Sequence, residues 1–206
     1  MSRSVKIFYG MSGAFKETTI KSRLRNELGS DVMWSGIKQW KYWEELIKRK
    51  NGPHHLNLAL LHLSRLKDKE YNIAKDNTTL FVERGVSDML FYWLHSLPAM
   101  SENETIIKNL IEEEIRVSKI AAGGEEKPWK VLLIQRDYDF VQNIVLKELT
   151  RSECFPGGIK DYINAQDRYI SFTKKYNDIN EIIEIDNAKE YLKKLGIEWD
   201  AKESNQ

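Results

Sequence analysis

The sequence predicts an α/β protein built on a five-stranded, mostly parallel sheet flanked by helices. Three observations carry that expectation. Short apolar runs alternate with long segments of helical period, the pattern that strands make when crossover helices join them into a parallel sheet. Two of the runs, "TLFV" and "VLLI", have almost no polar residue, as befits strands covered on both faces. The chain has 206 residues, enough for one large core but short for two domains of ~100 to 200 residues each.

The elements follow in order. Residues 5–9 ("VKIFY") form the first strand. A glycine-bearing turn comes next, a helix begins at 16–18, and Gly29 stops it. Residues 31–34 ("DVMW") make a weaker second strand. Between it and the third strand lie two helices separated by "NGPHH", where Gly52 and Pro53 break the chain. The second of these helices carries Leu56, Leu58, Leu60, Leu61, Leu63 and Leu66, too apolar for a surface helix. Strands three to five are 79–82 ("TLFV"), 131–135 ("VLLIQ") and 181–185 ("EIIEI"). The segment "AAGGEEKPW" reads as a loop. Further on, Ile159, Tyr162, Ile163, Gln166, Tyr169, Ile170 and Thr173 recur at helical spacing and define a buried face. A single domain is expected over 1–199, with 200–206 a frayed tail.

Composition excludes several classes. Lys and Arg total 32 against 31 Asp and Glu, a formal charge of +1, so no global basic field announces a general nucleic-acid binder. The single cysteine, Cys154, rules out an intramolecular disulfide, and no histidine lies near it in sequence to activate it. No apolar run approaches the ~20 residues that span a bilayer, and no leader pattern opens the chain. A soluble, cytoplasmic protein without a membrane partner is expected. His54, His55 and His62 are too few ligands for zinc.

The chemistry concentrates in two stretches. In "GMSGAFKETT", Gly10, Gly13 and Lys16 stand where a phosphate-binding loop uses such residues, but Phe15 and Glu17 replace the glycine and hydroxyl of G-x-x-x-x-G-K-[ST]. A strand running through a glycine turn into a helix directs free N–H groups and the positive helix end at one point. Gly10, Ser12, Gly13, Ala14, Phe15, Lys16, Glu17, Thr18 and Thr19 are therefore the candidate cradle, with Lys16 against terminal phosphates. Thr18 or Thr19, or Glu17 through its own carboxylate, is left to serve Mg²⁺. In "LFVERGVSDMLFYW", a buried strand delivers Glu83 and Arg84 at its C-terminal end, where ligands gather in parallel sheets. A carboxylate there can orient Mg²⁺, and an arginine can grip a phosphoryl group.

These stretches resemble P-loop nucleoside and nucleotide kinases. "GMSGAFKETT" is similar to their phosphate loop, and "VERGVSD" to the D/E-R motif that ends the third strand of deoxynucleoside and thymidylate kinases. "QWKYWEEL" sits where they cover the acceptor, "LLIQRDYD" at their fourth strand, and "LKELTRSECFPGGIKDYINAQDRYISF" at their lid and following helix, with the lid near 150–158. The resemblance implies a P-loop kinase-like three-layer sandwich with ATP and Mg²⁺ as cofactors. It implies Lys16 and the amides of 13–18 on the ATP phosphates, Glu83 at the magnesium, Arg84 on the acceptor side, and Arg136 and Arg151 as lid-side arginines. The implied acceptor is a deoxynucleotide or nucleoside, of the pyrimidine type.

One departure bears on mechanism. Deoxynucleoside kinases carry a glutamate after the second strand, whereas this chain reads "WSGIKQW". That favours a phosphate acceptor, for which Lys38 and Lys41 are candidates. Asp88 is the alternative proton acceptor if the substrate is a hydroxyl. Trp40 and Tyr92 are the candidates to stack on a base. Two other readings stay open: a kinase acting on a hydroxyl of nucleic acid or of a modified base in DNA, as in phage DNA modification, and a noncatalytic nucleotide-binding module. A homodimer is also left open.

Overall fold

A computed structural model describes residues 4–26, 31–33, 59–60, 62–64, 66, 79–95, 104–124, 126–148, 152 and 154–198. In chain order these form β1 (Val5–Tyr9), α1 (Lys16–Asn26), β2 (Asp31–Met33), β3 (Leu80–Glu83), α2 (Val86–His95) and α3 (Glu104–Ala121). Then come β4 (Trp129–Gln135), α4 (Tyr138–Asn143), a 3-10 turn (Val145–Lys147), α5 (Ile159–Tyr176), β5 (Glu181–Ile185) and α6 (Ala188–Lys194). Between β2 and β3, residues 59–60, 62–64 and 66 are helical.

The sheet has five strands in the order β2-β3-β1-β4-β5. Every pairing is parallel, with Phe8 opposite Glu83 across β1 and β3 and Phe8 opposite Val131 across β1 and β4. Successive strand residues face opposite sides, and the two cores obey that period. Val5, Ile7 and Tyr9, Leu80 and Val82, and Leu132 and Ile134 face one core, shared with α2, α3 and α5. Phe8, Phe81, Val131 and Leu133 face the other, closed by Ile20 and Leu24 of α1. Both faces are thus covered, which explains why these strands lack the polar alternation of a half-exposed sheet.

Helix spacing supplies the covering faces. On α3 the buried stripe is Ile107, Leu110, Ile111, Glu114, Val117, Ser118 and Ala121, the three- and four-residue spacing of one helix face. On α5 it is Tyr162, Ala165, Gln166, Tyr169 and Thr173, close to the expected set. That helix continues to Tyr176.

Strand ends differ from expectation by small amounts. β3 starts at Leu80 and takes in Glu83, because Glu83 pairs with Phe8 on β1. β4 starts at Trp129, where the buried Lys130 ammonium donates to Asn177 Oδ1 at 2.7 Å. A lysine at that position hides a strand residue from an apolar-run reading. The Gly29 helix stop, the helix before "NGPHH" and the 200–206 tail lie outside the described residues. No described helix is long and apolar enough to cross a membrane.

Candidate active site

The strand order sets the location. From β1 the chain crosses to β2 on one side, and from β3 it crosses over β1 to β4 on the other. In open parallel sheets a crevice forms at the C-terminal ends of strands where connections diverge in this way. Here those ends carry the loop 10–15 and the Glu83–Arg84 pair. The Arg84 N–H donates to Phe8 O at 2.9 Å, so the two segments are neighbours.

The loop has a defined backbone. Gly13 has φ +82, and a Cβ there would meet Val145 Cγ2 at 2.7 Å, so both the dihedral and the space select glycine. Phe15 has φ +54. The left-handed conformation that a glycine would adopt is therefore kept by a phenylalanine, at a cost of about 1–2 kcal/mol. The offset is aromatic packing, with the Phe15 ring 5.0 Å from Phe140 and 5.8 Å from Tyr191 between centroids. Such pairs contribute about 0.5–1.5 kcal/mol beyond area burial.

Several donors hold the loop carbonyls. Tyr162 OH donates to Ser12 O at 2.7 Å, and Gln135 Nε2 donates to Gly13 O at 3.0 Å. A peptide unit is planar and trans, so fixing the carbonyl of residue 12 or 13 also fixes the opposite direction of the next N–H. Gln135 is held in turn by Gln166, which accepts from the Gln135 N–H at 3.0 Å and donates to the Gln135 carbonyl at 2.8 Å. Lys16 is buried, and its ammonium donates to Gly10 O at 2.6 Å and Met11 O at 3.0 Å. One positive charge therefore sits at the loop beside the first-turn N–H groups of α1, the arrangement that receives a phosphate.

The hydroxyl and carboxylate candidates divide. Thr19 is buried, with its hydroxyl 2.9 Å from Phe15 O as donor and 2.6 Å from Tyr191 OH. Those bonds fasten α1 to α6. Glu17 pairs with Lys21 at 2.8 Å on the half-exposed face of the first turn. Thr18 is half-buried.

Glu83 is half-buried at the end of β3, and Arg84 adopts φ +67, a second left-handed residue without glycine's freedom. Such strain persists where surrounding structure holds it, and it concentrates at functional sites. Asp88 is fully buried in the first turn of α2, accepting from Tyr169 OH at 2.6 Å and from the Gly85 N–H at 3.2 Å. Burial pushes the Asp88 carboxyl above the usual range, and the nearby positive charges of Arg84 and Lys16 only partly offset it. Lys16, Arg84 and Asp88 thus share one electrostatic environment.

Beneath them lies a network that sequence reasoning did not single out. Glu114 of α3 is buried and accepts from the Val86 N–H at 2.7 Å and from Tyr9 OH at 3.3 Å, with His62 Nε2 at 3.1 Å. Together Asp88 and Glu114 satisfy the first N–H groups at the start of α2, so the protein's own carboxylates fill that helix end. The available signal was a glutamate inside a mostly apolar helix stripe. Tyr162, Gln166 and Tyr169 were legible as packing residues, and their polar tips prove to serve the loop and Asp88.

Other candidates lie apart or outside view. Arg136 follows β4, and its guanidinium bonds Glu184 on β5 at 3.3 Å and Tyr138 OH at 3.4 Å. The hydrogen bond to Tyr138 raises its pKa. Tyr92 lies within α2. Lys38, Trp40, Lys41 and Arg151 are outside the described residues. Cys154 is exposed. A cavity of about 180 Å³ lined by Lys127, Lys130 and Asn177 opens at the N-terminal end of β4, the opposite end of the sheet from the loop.

No family model matches the chain, and no curated protein matches it by sequence. Among solved structures it is similar to a deoxyadenosine kinase from M. mycoides with bound dATP, at 17% identity and a TM-score of 0.53. The match covers 95% of this chain and 97% of that one. At that identity the likeness concerns the fold alone: the chain has a P-loop kinase-like α/β fold.

Proposed function

We propose that the protein is an ATP-dependent phosphotransferase whose acceptor is a nucleoside or deoxynucleotide. The observation that carries this reading is the loop 10–15, which keeps left-handed dihedrals at Gly13 and at Phe15 and leads into α1 at Lys16, whose ammonium folds back onto the carbonyls of Gly10 and Met11. A phenylalanine strained into that conformation is hard to account for in a plain strand-to-helix turn. The likeness to a deoxyadenosine kinase across nearly the whole chain supports the same chemistry.

The residues fit a nucleotide phosphate tail. The loop N–H groups and Lys16 would hold it, and charge stabilisation by fixed donors is most of what phosphoryl transfer asks of a protein. Magnesium supplies further charge neutralisation when bound. Magnesium at a nucleotide is ordinarily held by one or two protein oxygens together with phosphates and water. Glu83, Glu17 and Thr18 are this chain's oxygen donors for it. Arg84 serves the phosphoryl group on the acceptor side. Asp88, raised by burial and bonded to Tyr169, takes the proton if the acceptor is a hydroxyl.

The test is transfer of labelled γ-phosphate from ATP to a panel of purine and pyrimidine nucleosides, deoxynucleotides and oligonucleotides. Lys16→Met is expected to lose about a hundredfold or more. Equal labelling by the variant sinks the Lys16 assignment. Labelled oligonucleotides without labelled free nucleotides would move the acceptor to nucleic acid. ATP binding without any transfer would leave a nucleotide-binding module, a reading favoured by Glu17 being paired with Lys21 where a magnesium-binding hydroxyl is usual.

A further inference from the structure

One side chain touches both the phosphate loop and the turn that leads into α5. Tyr162 is fully buried, its hydroxyl donates to Ser12 O at 2.7 Å, and its ring meets Phe155 edge-on at 5.4 Å between centroids. Phe155 belongs to a tight turn, in which the Gly158 N–H donates to Phe155 O at 2.8 Å and the Gly157 N–H to Asp161 Oδ2 at 2.6 Å. Gly158 has φ +62, and the Tyr162 N–H donates back to Gly158 O at 3.1 Å. The turn is therefore stiff, and Tyr162 is bonded to it through both backbone and ring. At the other end, the Ser12 carbonyl shares its peptide plane with the Gly13 N–H, so the hydroxyl that holds one aims the other.

We propose that Tyr162 is a positioning residue that couples the phosphate loop to the turn at 154–158. The tyrosine sets the direction of the Gly13 amide, and a shift of the Ser12 carbonyl on phosphate binding is passed through the rigid ring to Phe155 and its neighbour Cys154. This rests on the loop being the phosphate site, as proposed above. The side chain itself takes no part in bond making. Its contribution is one neutral hydrogen bond, equivalent to about three- to tenfold in an equilibrium constant.

The chain carries its own reporter, because Cys154 is its only cysteine and is exposed. The experiment labels Cys154 with an environment-sensitive fluorophore in the wild type, Tyr162→Phe and Phe155→Leu, and titrates each with ATP. Hydrogen exchange of the loop amides is followed without nucleotide, with Tyr176→Phe as control. Tyr162→Phe keeps the ring, so it is expected to fold and to speed exchange at residues 12–14 about three- to tenfold. It should raise the KM for ATP by a similar factor, leave the acceptor KM unchanged, and abolish the Cys154 response. Phe155→Leu should abolish that response while leaving loop exchange as in the wild type.

Wild-type exchange at residues 12–14 in Tyr162→Phe overturns the proposal, as does an undiminished Cys154 response at saturating ATP. A uniform rise in exchange throughout the chain also overturns it, since that marks a merely structural role. If the wild type binds no ATP, the phosphate reading fails by itself. The exchange measurement then still decides whether Tyr162 positions the loop.

Discussion

Phe15 is the residue at which sequence and backbone pull in opposite directions. Its φ of +54 belongs to glycine, yet its ring packs between Phe140 and Tyr191. Replacement by glycine loses the packing but relieves the dihedral strain, whereas alanine loses the packing and keeps the strain. Phe15→Ala is therefore expected to be less stable than Phe15→Gly by about 1 kcal/mol in urea unfolding. The usual order for a helix-adjacent position is the reverse, so a more stable alanine variant would show that the left-handed dihedral is not held in solution. Phe15→Gly should also retain the wild-type affinity for ATP, because the loop geometry survives. Thr19 makes a related point: its sequence suggests a ligand hydroxyl, and its bonds to Phe15 O and Tyr191 make it a fastener for the same aromatic group.

At the scale of elements, α5 does more than cover the sheet. Along one face Tyr162, Gln166 and Tyr169 reach the loop 10–15, the end of β4 and Asp88. Gln166 makes a double link, since both its amide oxygen and nitrogen bond the backbone of Gln135. Gln166→Leu preserves the approximate volume and strands a buried N–H and a buried carbonyl. A loss of about 2 kcal/mol or more is expected from the usual 1–3 kcal/mol for an unsatisfied buried group. Ile170→Val on the same helix should cost only about 0.5–1.5 kcal/mol. Equal losses in urea unfolding would reduce Gln166 to ordinary packing. β1, β3 and β4 were legible because both of their faces are covered and their apolar runs are nearly unbroken. The inward face of α5 was legible from its period. What those side chains meet was not: Tyr162 and Ser12 lie 150 residues apart, and periodicity says which residues turn inward without saying what they find there.

Across the whole molecule, the candidate site was readable where chemistry is local and hidden where it is assembled. Gly13, Lys16, Glu83 and Arg84 stand in two short stretches, each at a strand end, and the parallel sheet brings those ends together. Glu114 was hidden because its partners come from four separate places: Tyr9, His62, Val86 and, through charge, Lys130. That network links the core to pH. Burial alone would push the Glu114 carboxyl up, but the His62 hydrogen bond, the charge of Lys130 and the Val86 N–H together hold it below the usual range. Below its ordinary value of about 4.3 the unfolded chain therefore takes up this proton before the folded one does. Its stabilisation is complete above that value and is lost as pH falls through the lower folded pKa. Asp88 has the opposite sign. Burial raises its pKa, so from about 3.9 upward to its folded value the folded state holds a proton that the unfolded state has released, and stability falls with rising pH. In urea unfolding at a series of pH values from about 3 to 7, Glu114→Gln should flatten the loss of stability on acidification. Asp88→Asn should instead steepen it over the window just above pH ~4. A wild-type slope in Glu114→Gln would mean that the carboxyl titrates alike in both states, and the buried network would then not be what makes the fold sensitive to acid.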